Sequence, residues 1–281
     1  MNSLFIVGTP IGNLQDITLR ALLTLDSVEL ILSEDTRTTR KLLSAYELRT
    51  KLLSYNEQNH KYRLPRIMQI LETADVALVS EAGMPRVSDP GAELVIDAIN
   101  AGASVTTIPG PSAITAAVPL AFFPINEFTY LGFLPKRRAN RLLSLNSIKD
   151  QNRPIVIFES PHRLIKTLHE LIEVLGDRTI TLCRELTKMH EEVFHGSIST
   201  AMNQFADPRG EFTLIVNASD FSATVMDETK AFEEIERLSN MGISPSRAIA
   251  QTVQNTNLSR QELYKKWLNK FRDTRHEETD R

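Results

Sequence analysis

The fold is decided by two stretches of the chain, Val76-Ala-Leu-Val-Ser-Glu-Ala-Gly-Met-Pro-Arg-Val-Ser-Asp-Pro-Gly91 and Val105-Thr-Thr-Ile-Pro-Gly-Pro-Ser-Ala113. Each begins with a short apolar run that ends in a turn rich in glycine and proline, a pattern typical of a buried parallel strand. Between them, residues 92–101 carry apolar side chains at helical spacing, which predicts a strand–helix–strand unit. Because the carboxyl ends of parallel strands meet at one sheet edge, we expect these turns to form a ligand-binding edge.

Composition and charge describe an ordinary globular protein. The chain has 281 residues, of which 42% are hydrophobic and 24% are charged, and its net charge is -3. Since it has no overall basic excess, any nucleic-acid site must be local. The single cysteine, Cys183, excludes an internal disulfide and fits a reducing compartment. No apolar run approaches the roughly 18 residues that span a bilayer, and we predict a cytoplasmic protein.

The same strand-and-turn pattern recurs through the first 120 residues. Leu4-Phe-Ile-Val7 leads into Gly8-Thr-Pro-Ile-Gly, after which Asp16 is predicted to cap a helix. Further strands are predicted at 28–33 and 51–54. We therefore expect an α/β domain at 1–120.

A second α/β pattern begins near Phe128. Its predicted strands cover 155–158, 179–183, the vicinity of Val193 and 211–216, which gives a second domain at 121–220. Only a short segment joins Cys183 to Val193, so no helix fits between these strands. The second sheet is therefore not expected to be wholly parallel.

The end of the chain, 226–281, is predicted to be a helical module with a basic excess. From Ser244 to Arg275 there are seven basic residues and only two acidic ones. Ser259-x-x-Glu262 is a capping box, which predicts the start of a helix. Short helices with a basic last member resemble a helix-turn-helix module that binds nucleic acid, although a capping bundle would show the same composition. The basic residues that would meet phosphates are Arg260, Lys265, Lys266 and Lys270.

A second basic cluster follows the aromatic-rich turn near residue 133. It comprises Lys136, Arg137, Arg138 and Arg141, with no acid among them. Such a run suits stacking on and phosphate contacts with RNA, and it equally suits a solvated helix face. Glu34-Asp-Thr-Arg37 poses a similar choice between a binding group and a helix cap with a surface ion pair.

Several chemistries are disfavoured by spacing. The turns lack the G-x-G-x-x-G and G-K-[ST] patterns that bind dinucleotides and triphosphates. The helix starting His169-Glu lacks a second histidine at the zinc-binding position, so we predict no metal. Gly110-Pro-Ser-Ala lacks the closing glycine of a nucleophile elbow, which makes Ser112 a predicted helix cap. A cleft for a small ligand beside charged clusters remains.

Seven blocks taken together resemble one family, the ribosomal RNA small subunit methyltransferase I family of the tetrapyrrole methylase superfamily. The resemblance covers residues 4 to about 216, with the blocks in order. They are Val7-Gly-Thr-Pro-Ile-Gly-Asn-Leu14, Glu34-Asp-Thr-Arg37, Ala82-Gly-Met-Pro-Arg-Val-Ser-Asp-Pro-Gly91, Ile108-Pro-Gly-Pro-Ser-Ala113, Gly132-Phe-Leu-Pro135, Glu159-Ser-Pro-His-Arg163 and Arg184-Glu-Leu-Thr-Lys188.

The resemblance implies a homodimer of two α/β domains flanking a cleft, which transfers a methyl group from S-adenosylmethionine to the ribose 2′-oxygen of a cytidine in small-subunit ribosomal RNA. By motif, Glu159 and Lys188 are candidates for catalysis, and Arg37 and Arg163 for phosphate contacts. The residues implied to line the cofactor site are Gly8, Pro10, Gly83, Met84, Val87, Pro109, Gly110, Ser112, Ala113, Leu186 and Thr213.

The chain departs from the usual family pattern at Glu81, Met84, Arg86 and Ala121-Phe122. Two alternatives therefore stay open. One is a methylase of a tetrapyrrole or another small molecule, since the superfamily contains such enzymes. The other is a non-catalytic RNA-binding protein that assists ribosome assembly.

Overall fold

The computed structural model describes residues 1–89, 91–218, 228–240, 243–253 and 260–267. Its contacts divide the chain into two compact units, Met1–Ala218 and Ser219–Arg281. The first unit holds two five-stranded sheets, with helices packed on them. This arrangement confirms the predicted α/β class with a helical C-terminal part. The chain between the two sheets includes residue 120, and the finer division at 1–120 and 121–220 stays a prediction.

The first sheet is wholly parallel, with strand order β3-β2-β4-β1-β5. Short 3-10 helices at Leu14–Asp16 and Val118–Leu120 flank its helices. The elements are β1 (Ser3–Val7), α1 (Leu19–Ser27), β2 (Leu30–Ser33), α2 (Thr36–Ala45), β3 (Lys51–Ser54), α3 (His60–Thr73), β4 (Val76–Val79), α4 (Ala92–Asn100), β5 (Ser104–Ile108) and α5 (Ala113–Ala117).

The predicted strand–helix–strand unit is confirmed, with β1 lying between its two strands. Leu4 pairs with Val76 on β4 and with Val105 on β5, both in parallel. All four residues of β4 are buried, as a strand covered on both faces requires. The carboxyl ends of β1, β4 and β5 therefore meet at one edge of the sheet.

The predicted cap of α1 is wrong. Asp16 lies in the short 3-10 helix, and the side chain of Thr18 instead accepts a hydrogen bond from the backbone N–H of Ala21. Both residue types are good caps. The 3-10 turn delays the start of the helix by two residues, which the apolar spacing does not reveal.

The second sheet is mixed, in the order β6-β7-β10-β8-β9. Strand β10 runs antiparallel to both of its neighbours, and Cys183 pairs with Val193 in the antiparallel β8–β9 hairpin. This confirms that the sheet is not wholly parallel. The elements are β6 (Thr129–Phe133), α6 (Arg138–Asn146), β7 (Ile155–Glu159), α7 (Pro161–Leu175), β8 (Thr179–Arg184), β9 (Glu192–Ser197), α8 (Ile198–Gln204) and β10 (Phe212–Val216).

The C-terminal unit contains α9 (Glu228–Asn240), α10 (Pro245–Thr252) and a helix at 260–267. Phe232, Ile235, Ile249 and Trp267 are buried in a small apolar core shared by these helices. Ser259 of the predicted capping box and most of the predicted linker lie outside the described residues. Within the described ranges, no helix is long and apolar enough to cross a membrane.

Candidate functional site

A cavity of about 490 Å³ lies where the strand-end loops of the two sheets face each other. The first sheet contributes the loops after β1, β4 and β5, and the second contributes the ends of β6, β7, β8 and β10. The cavity is lined by Ile11, Glu81, Ala82, Gly83, Met84, Val87, Ser88, Asp89, Ser112, Ala113, Phe133, Phe158, Glu159, Ser160, Pro161, Cys183, Leu186, Glu211, Phe212 and Thr213.

The cavity wall is partly apolar and carries negative charge. Met84, Val87, Leu186 and the rings of Phe133 and Phe158 supply apolar surface, with the two ring centroids 5.7 Å apart. Among the described residues that line the cavity, four are carboxylates and none is lysine or arginine. This wall therefore suits a ligand that is neutral or cationic where it is enclosed, and not a phosphate.

Gly83 anchors the loop after β4 to the loop after β1. Its N–H donates to the carbonyl of Thr9 at 3.0 Å, and the N–H of Thr9 donates to the carbonyl of Gly83 at 2.9 Å. Gly83 has φ +80°, and a Cβ there would lie 3.3 Å from the side chain of Ile11. Glycine is required because this backbone conformation strains other residues and space is short.

Seven of the eleven residues that the sequence assigns to the cofactor site line the cavity. Gly8, Pro10, Pro109 and Gly110 do not. Gly8 and Gly110 are brought against each other instead, since a Cβ added to Gly8 would lie 2.8 Å from the Cα of Gly110. The seven that line it are Gly83, Met84, Val87, Ser112, Ala113, Leu186 and Thr213.

Glu159, a predicted catalytic residue, lines the cavity but is only 1% exposed. One carboxylate oxygen accepts the hydroxyl of Thr167 at 2.5 Å, and the other accepts the N–H of Ser160 at 2.9 Å. Arg163 lies 3.4 Å from the first oxygen. With both oxygens engaged, Glu159 stabilises the first turns of α7, and this arrangement argues against a role as proton acceptor.

Lys188, the other predicted catalytic residue, is held between two carboxylates. Its Nζ lies 2.9 Å from Glu185 and 2.8 Å from Glu211. Partial burial lowers its pKa, but the hydrogen bonds to Glu211 and Glu185 outweigh burial and raise the pKa above its usual value. Lys188 therefore stays protonated at neutral pH and can neutralise charge but cannot accept a proton.

Asp89 is the carboxylate of the cavity with a raised pKa. Burial and the nearby charges of Glu34 and Glu81 raise its pKa to about 6, against a hydrogen bond from Ser80 that lowers it. The pKa of Glu34 is raised as well, first by burial and then by repulsion from Glu81. Three carboxylates thus approach one another at the ends of β2 and β4.

The loop that carries Asp89 is attached to the second sheet. The hydroxyl of Ser88 lies 2.6 Å from that of Tyr130 on β6. Ser88 has φ +72° and Arg86 has φ +70°, a conformation uncommon outside glycine. Strained residues of this kind often cluster at ligand-binding sites and need surrounding contacts to hold them.

The structure corrects the assignment of Arg141 to RNA binding. Arg141 is 2% exposed, and its guanidinium forms a two-pronged ion pair with Glu170 on α7, with one Nη2–Oε1 distance of 2.7 Å. Its remaining donor is used on the carbonyls of Pro135 and Lys136, both at 2.9 Å. Arg141 falls on the buried face of α6, so it joins α6 to α7 and offers nothing to a phosphate.

The other members of the basic cluster differ in their exposure and in their ion pairs. Arg138 is about half exposed and paired with Glu173 at 2.7 Å. Lys136 and Arg137 are exposed before and at the cap of α6, and they have no ion pair with any described residue. RNA binding by these two cations stays a prediction.

Arg37 and Arg163 are both paired within the chain. Asp35 caps α2 and holds the Arg37 guanidinium at 2.7 Å, and hydrogen bonds from Arg37 lower the pKa of Asp35 to about 2. Arg163 donates to the carbonyl of Leu134 at 2.7 Å. The cap and surface ion pair considered for Arg37 is thus the arrangement found, although the Arg37 side chain stays 86% exposed.

In the C-terminal unit, Lys265 and Lys266 are exposed on the helix at 260–267. Arg260 is exposed and donates to the hydroxyl of Ser246 at 3.0 Å, which links this helix to α10. Lys270 lies outside the described residues. Phosphate binding by this module stays a prediction.

Sequence reasoning missed several cavity residues. Asp89 stands inside a quoted motif, directly before Pro90, but nothing in the motif shows its exposure or its acidic neighbours. Phe133, Phe158 and Phe212 look like ordinary strand residues in the sequence. They line the cavity only because the strand ends of the two sheets lie opposite each other. Glu211 is signalled by no local pattern.

The described residues contain no group of three or more histidine, cysteine, aspartate or glutamate side chains able to hold a metal ion. Cys183, on the cavity wall, is buried, and burial raises the pKa of its thiol to about 12. Its thiol therefore remains protonated and poorly reactive at neutral pH.

Comparison with known proteins agrees with this geometry. Residues 3–201 match the family model of tetrapyrrole (corrin/porphyrin) methylases. The fold resembles that of uroporphyrin III C-methyl transferase from Thermus thermophilus, with a TM-score of 0.57, 17% identity, and coverage of 77% of this chain and 97% of that chain.

Curated relatives are much closer in sequence. A ribosomal RNA small subunit methyltransferase I of Thermotoga maritima is 49% identical over 78% of this chain and 100% of its own length. One of Halalkalibacterium halodurans is 37% identical over 93% of both chains. The chain therefore belongs to the ribosomal RNA small subunit methyltransferase I family, a methyltransferase family within the tetrapyrrole methylase superfamily.

Proposed function

We propose that this protein transfers a methyl group from S-adenosylmethionine to the ribose 2′-oxygen of a cytidine in small-subunit ribosomal RNA. The observation that carries the proposal is the cavity between the sheets, whose wall combines the glycine-rich motif loops of one sheet with Leu186 and Thr213 of the other. The names of the close relatives support ribosomal RNA as the acceptor.

The residues present fit S-adenosylmethionine. This donor has no phosphate, and the described lining of the cavity contains no basic side chain. Its sulfonium is cationic, which suits a wall that carries the carboxylates of Glu81 and Asp89. The positive φ of Gly83 lets the backbone approach a ligand closely, while Met84, Val87 and Leu186 supply apolar surface. These residues would hold the donor.

Positioning is the main contribution that we assign to the protein. Methyl transfer is an in-line displacement, so rate is gained by aligning acceptor oxygen, methyl carbon and sulfur. The Thr9–Gly83 pairing fixes one loop of the cavity, and the Ser88–Tyr130 hydrogen bond fixes another. Both contacts restrict the loops before the acceptor binds, so less conformational entropy is lost on binding.

RNA would be held outside the acidic cavity by exposed cations of the second sheet's domain and of the C-terminal module. Lys136 and Arg137 are exposed, and Arg260, Lys265 and Lys266 are exposed on the C-terminal helix. Phosphates would thus bind outside the cavity while a single ribose reaches the donor. Action on ribosomal RNA would take place in the cytoplasm, and we extend the proposal to a homodimer, as the family resemblance implies.

The test combines donor binding with mapping of the product. Calorimetry should detect binding of S-adenosylmethionine, and purified small-subunit RNA incubated with the labelled donor should acquire label on a cytidine ribose. Methylation of a tetrapyrrole with no label in RNA would establish the small-molecule alternative. Absence of donor binding would leave the non-catalytic assembly role.

A further inference from the structure

The carboxylates of the cavity differ in how far their oxygens are engaged by other groups of the chain. Glu159 has both oxygens engaged by Thr167 and Ser160. Glu211 is ion-paired with the protonated Lys188. Glu159 and Glu211 therefore have structural roles. Glu81 and Asp89 are the two cavity carboxylates that remain as candidates for proton acceptor.

Asp89 differs from Glu81 in how firmly it is held. Asp89 is partly buried, whereas Glu81 is exposed. The neighbouring Ser88 is fixed to Tyr130, so the carboxylate is presented from a loop tied to both sheets.

Glycine at position 132 permits this attachment. Gly132 on β6 has φ +63°, and a Cβ there would lie 2.7 Å from the hydroxyl oxygen of Ser88. A side chain would push the loop away from the second sheet. The close approach of the loop to β6 is thus built into the sequence at a point next to Asp89.

We propose that Asp89 is the general base of the reaction, accepting the proton of the ribose 2′-hydroxyl as the methyl group is transferred. This inference rests on the proposed function, because it assumes a ribose acceptor. It names a group in the wall of the same cavity that the family motifs had left without a role.

The step balances without any further reactant. The O–H bond breaks and its proton goes to the Asp89 carboxylate, while an oxygen lone pair forms the new O–CH₃ bond. The S–CH₃ bond breaks and its electron pair remains on sulfur, which becomes a neutral thioether. Asp89 then releases its proton to water.

The electrostatic surroundings suit this role. Asp89 faces Glu34 from the end of β2, Glu81 from the loop after β4, and the phenol of Tyr130 from β6. Burial and these acidic neighbours raise its pKa to about 6. A base with a pKa close to neutral is more effective than an ordinary aspartate and is still mostly ionised at pH 7.

The experiment is single-turnover methylation of small-subunit RNA by the full chain, saturated with donor and RNA, across pH 5 to 9. Asp89→Asn should reduce the rate by roughly 10²- to 10⁴-fold, the usual contribution of a general base. Wild-type protein should lose activity as the pH falls below about 6. The pH–rate profile of the variant should not show this decrease at acidic pH. Asp89→Glu, which keeps a carboxylate, should retain part of the rate.

Asp26→Asn, an exposed aspartate on α1, is the matched control and should match wild type. Calorimetry with S-adenosylmethionine and a filter-binding assay with the RNA should show that Asp89→Asn still binds both. A variant that methylates at the wild-type rate, or that changes only KM for RNA, would overturn the role of Asp89 and leave the proposed function intact. Wild-type protein that labels no ribose would overturn the proposed function itself, and with it this inference.

Discussion

Gly8 and Gly110 touch backbone to backbone at the ends of β1 and β5. A Cβ added to Gly8 would lie 2.8 Å from the Cα of Gly110, and one added to Gly110 would lie 2.9 Å from the Cα of Gly8. The N–H of Gly8 also donates to the carbonyl of Ile108 at 3.1 Å. These glycines therefore belong to the motif because two loops cross closely, and they do not themselves line the cavity.

We expect Gly8→Ala to lower the free energy of unfolding by about 1–3 kcal/mol, as overpacking typically does. Chemical denaturation would measure this. Gly102 offers a control, since it is in a left-handed turn with no atom within 4 Å of an added Cβ, and asparagine tolerates that conformation. If Gly8→Ala were as stable as Gly102→Asn, the close crossing would have no energetic weight.

Gly83→Val should abolish binding of S-adenosylmethionine while the protein remains folded. A branched side chain at φ +80° would strain the loop and occupy the space beside Ile11. Gly102→Val carries the same kind of backbone strain at φ +84° outside the cavity, so it should lose stability but keep donor affinity. Calorimetry on both variants separates strain from loss of the site, and equal affinity in both would remove Gly83 from the donor site.

Arg141→Ala should destabilise the protein by about 3–5 kcal/mol, because it leaves the buried Glu170 carboxylate without its main partner. Arg153→Ala removes a surface ion pair with Glu127, away from Glu170, and should cost about 0–1 kcal/mol. Urea denaturation of both variants makes the comparison. Similar small losses in the two would contradict the structural role assigned to Arg141.

Asp89→Asn should be more stable than wild type at pH 7.5. The folded-state pKa of about 6 exceeds the ordinary 3.8, so the folded protein binds the proton more tightly and loses stability as the pH rises between these values. The shift corresponds to at most about 3 kcal/mol, and solvent screening of this partly buried group should reduce it to about 1 kcal/mol.

Because the amide introduced by Asp89→Asn cannot ionise, the variant does not lose stability in this way as the pH rises. Urea denaturation at pH 7.5 and at pH 4 would test this, since the advantage of the variant should shrink toward pH 4. An advantage of the same size at both pH values would show that ionisation of Asp89 is not its cause.

Replacing Lys136 and Arg137 by glutamine should weaken RNA binding and flatten its dependence on salt. For every phosphate that the protein no longer neutralises, the slope of log affinity against log salt should fall by roughly 0.7 to 0.9. Glutamine at Arg260 and Lys265 provides the parallel test of the C-terminal module. An unchanged slope in either double variant would show that those two cations do not meet phosphates.

Local patterns were sufficient for the strands and the class of fold. Val76–Val79 and Val105–Ile108 are apolar or β-branched, are bounded by turn residues, and lie parallel on either side of β1. The antiparallel hairpin was also predictable, because too few residues separate Cys183 from Val193 for a crossover helix. Such properties depend on the chain within a few residues of each position.

Charge alone, by contrast, misassigned individual side chains. Lys136, Arg137, Arg138 and Arg141 form one basic run in the sequence, yet Arg141 is buried against Glu170, which lies on another helix. Whether a cation faces water or a carboxylate depends on how α6 packs on α7. That packing joins residues far apart in the chain.

The sequence by itself determined the α/β fold, the loops that carry the motifs and the family. The tertiary structure alone decided which motif residues line the cavity. It turned Gly8 toward Gly110, enclosed Glu159 with Thr167, and left Asp89 among acidic neighbours from β2 and β4. The physical reason is that propensity and turn chemistry act locally, whereas burial, pairing and pKa depend on the three-dimensional neighbours of each group.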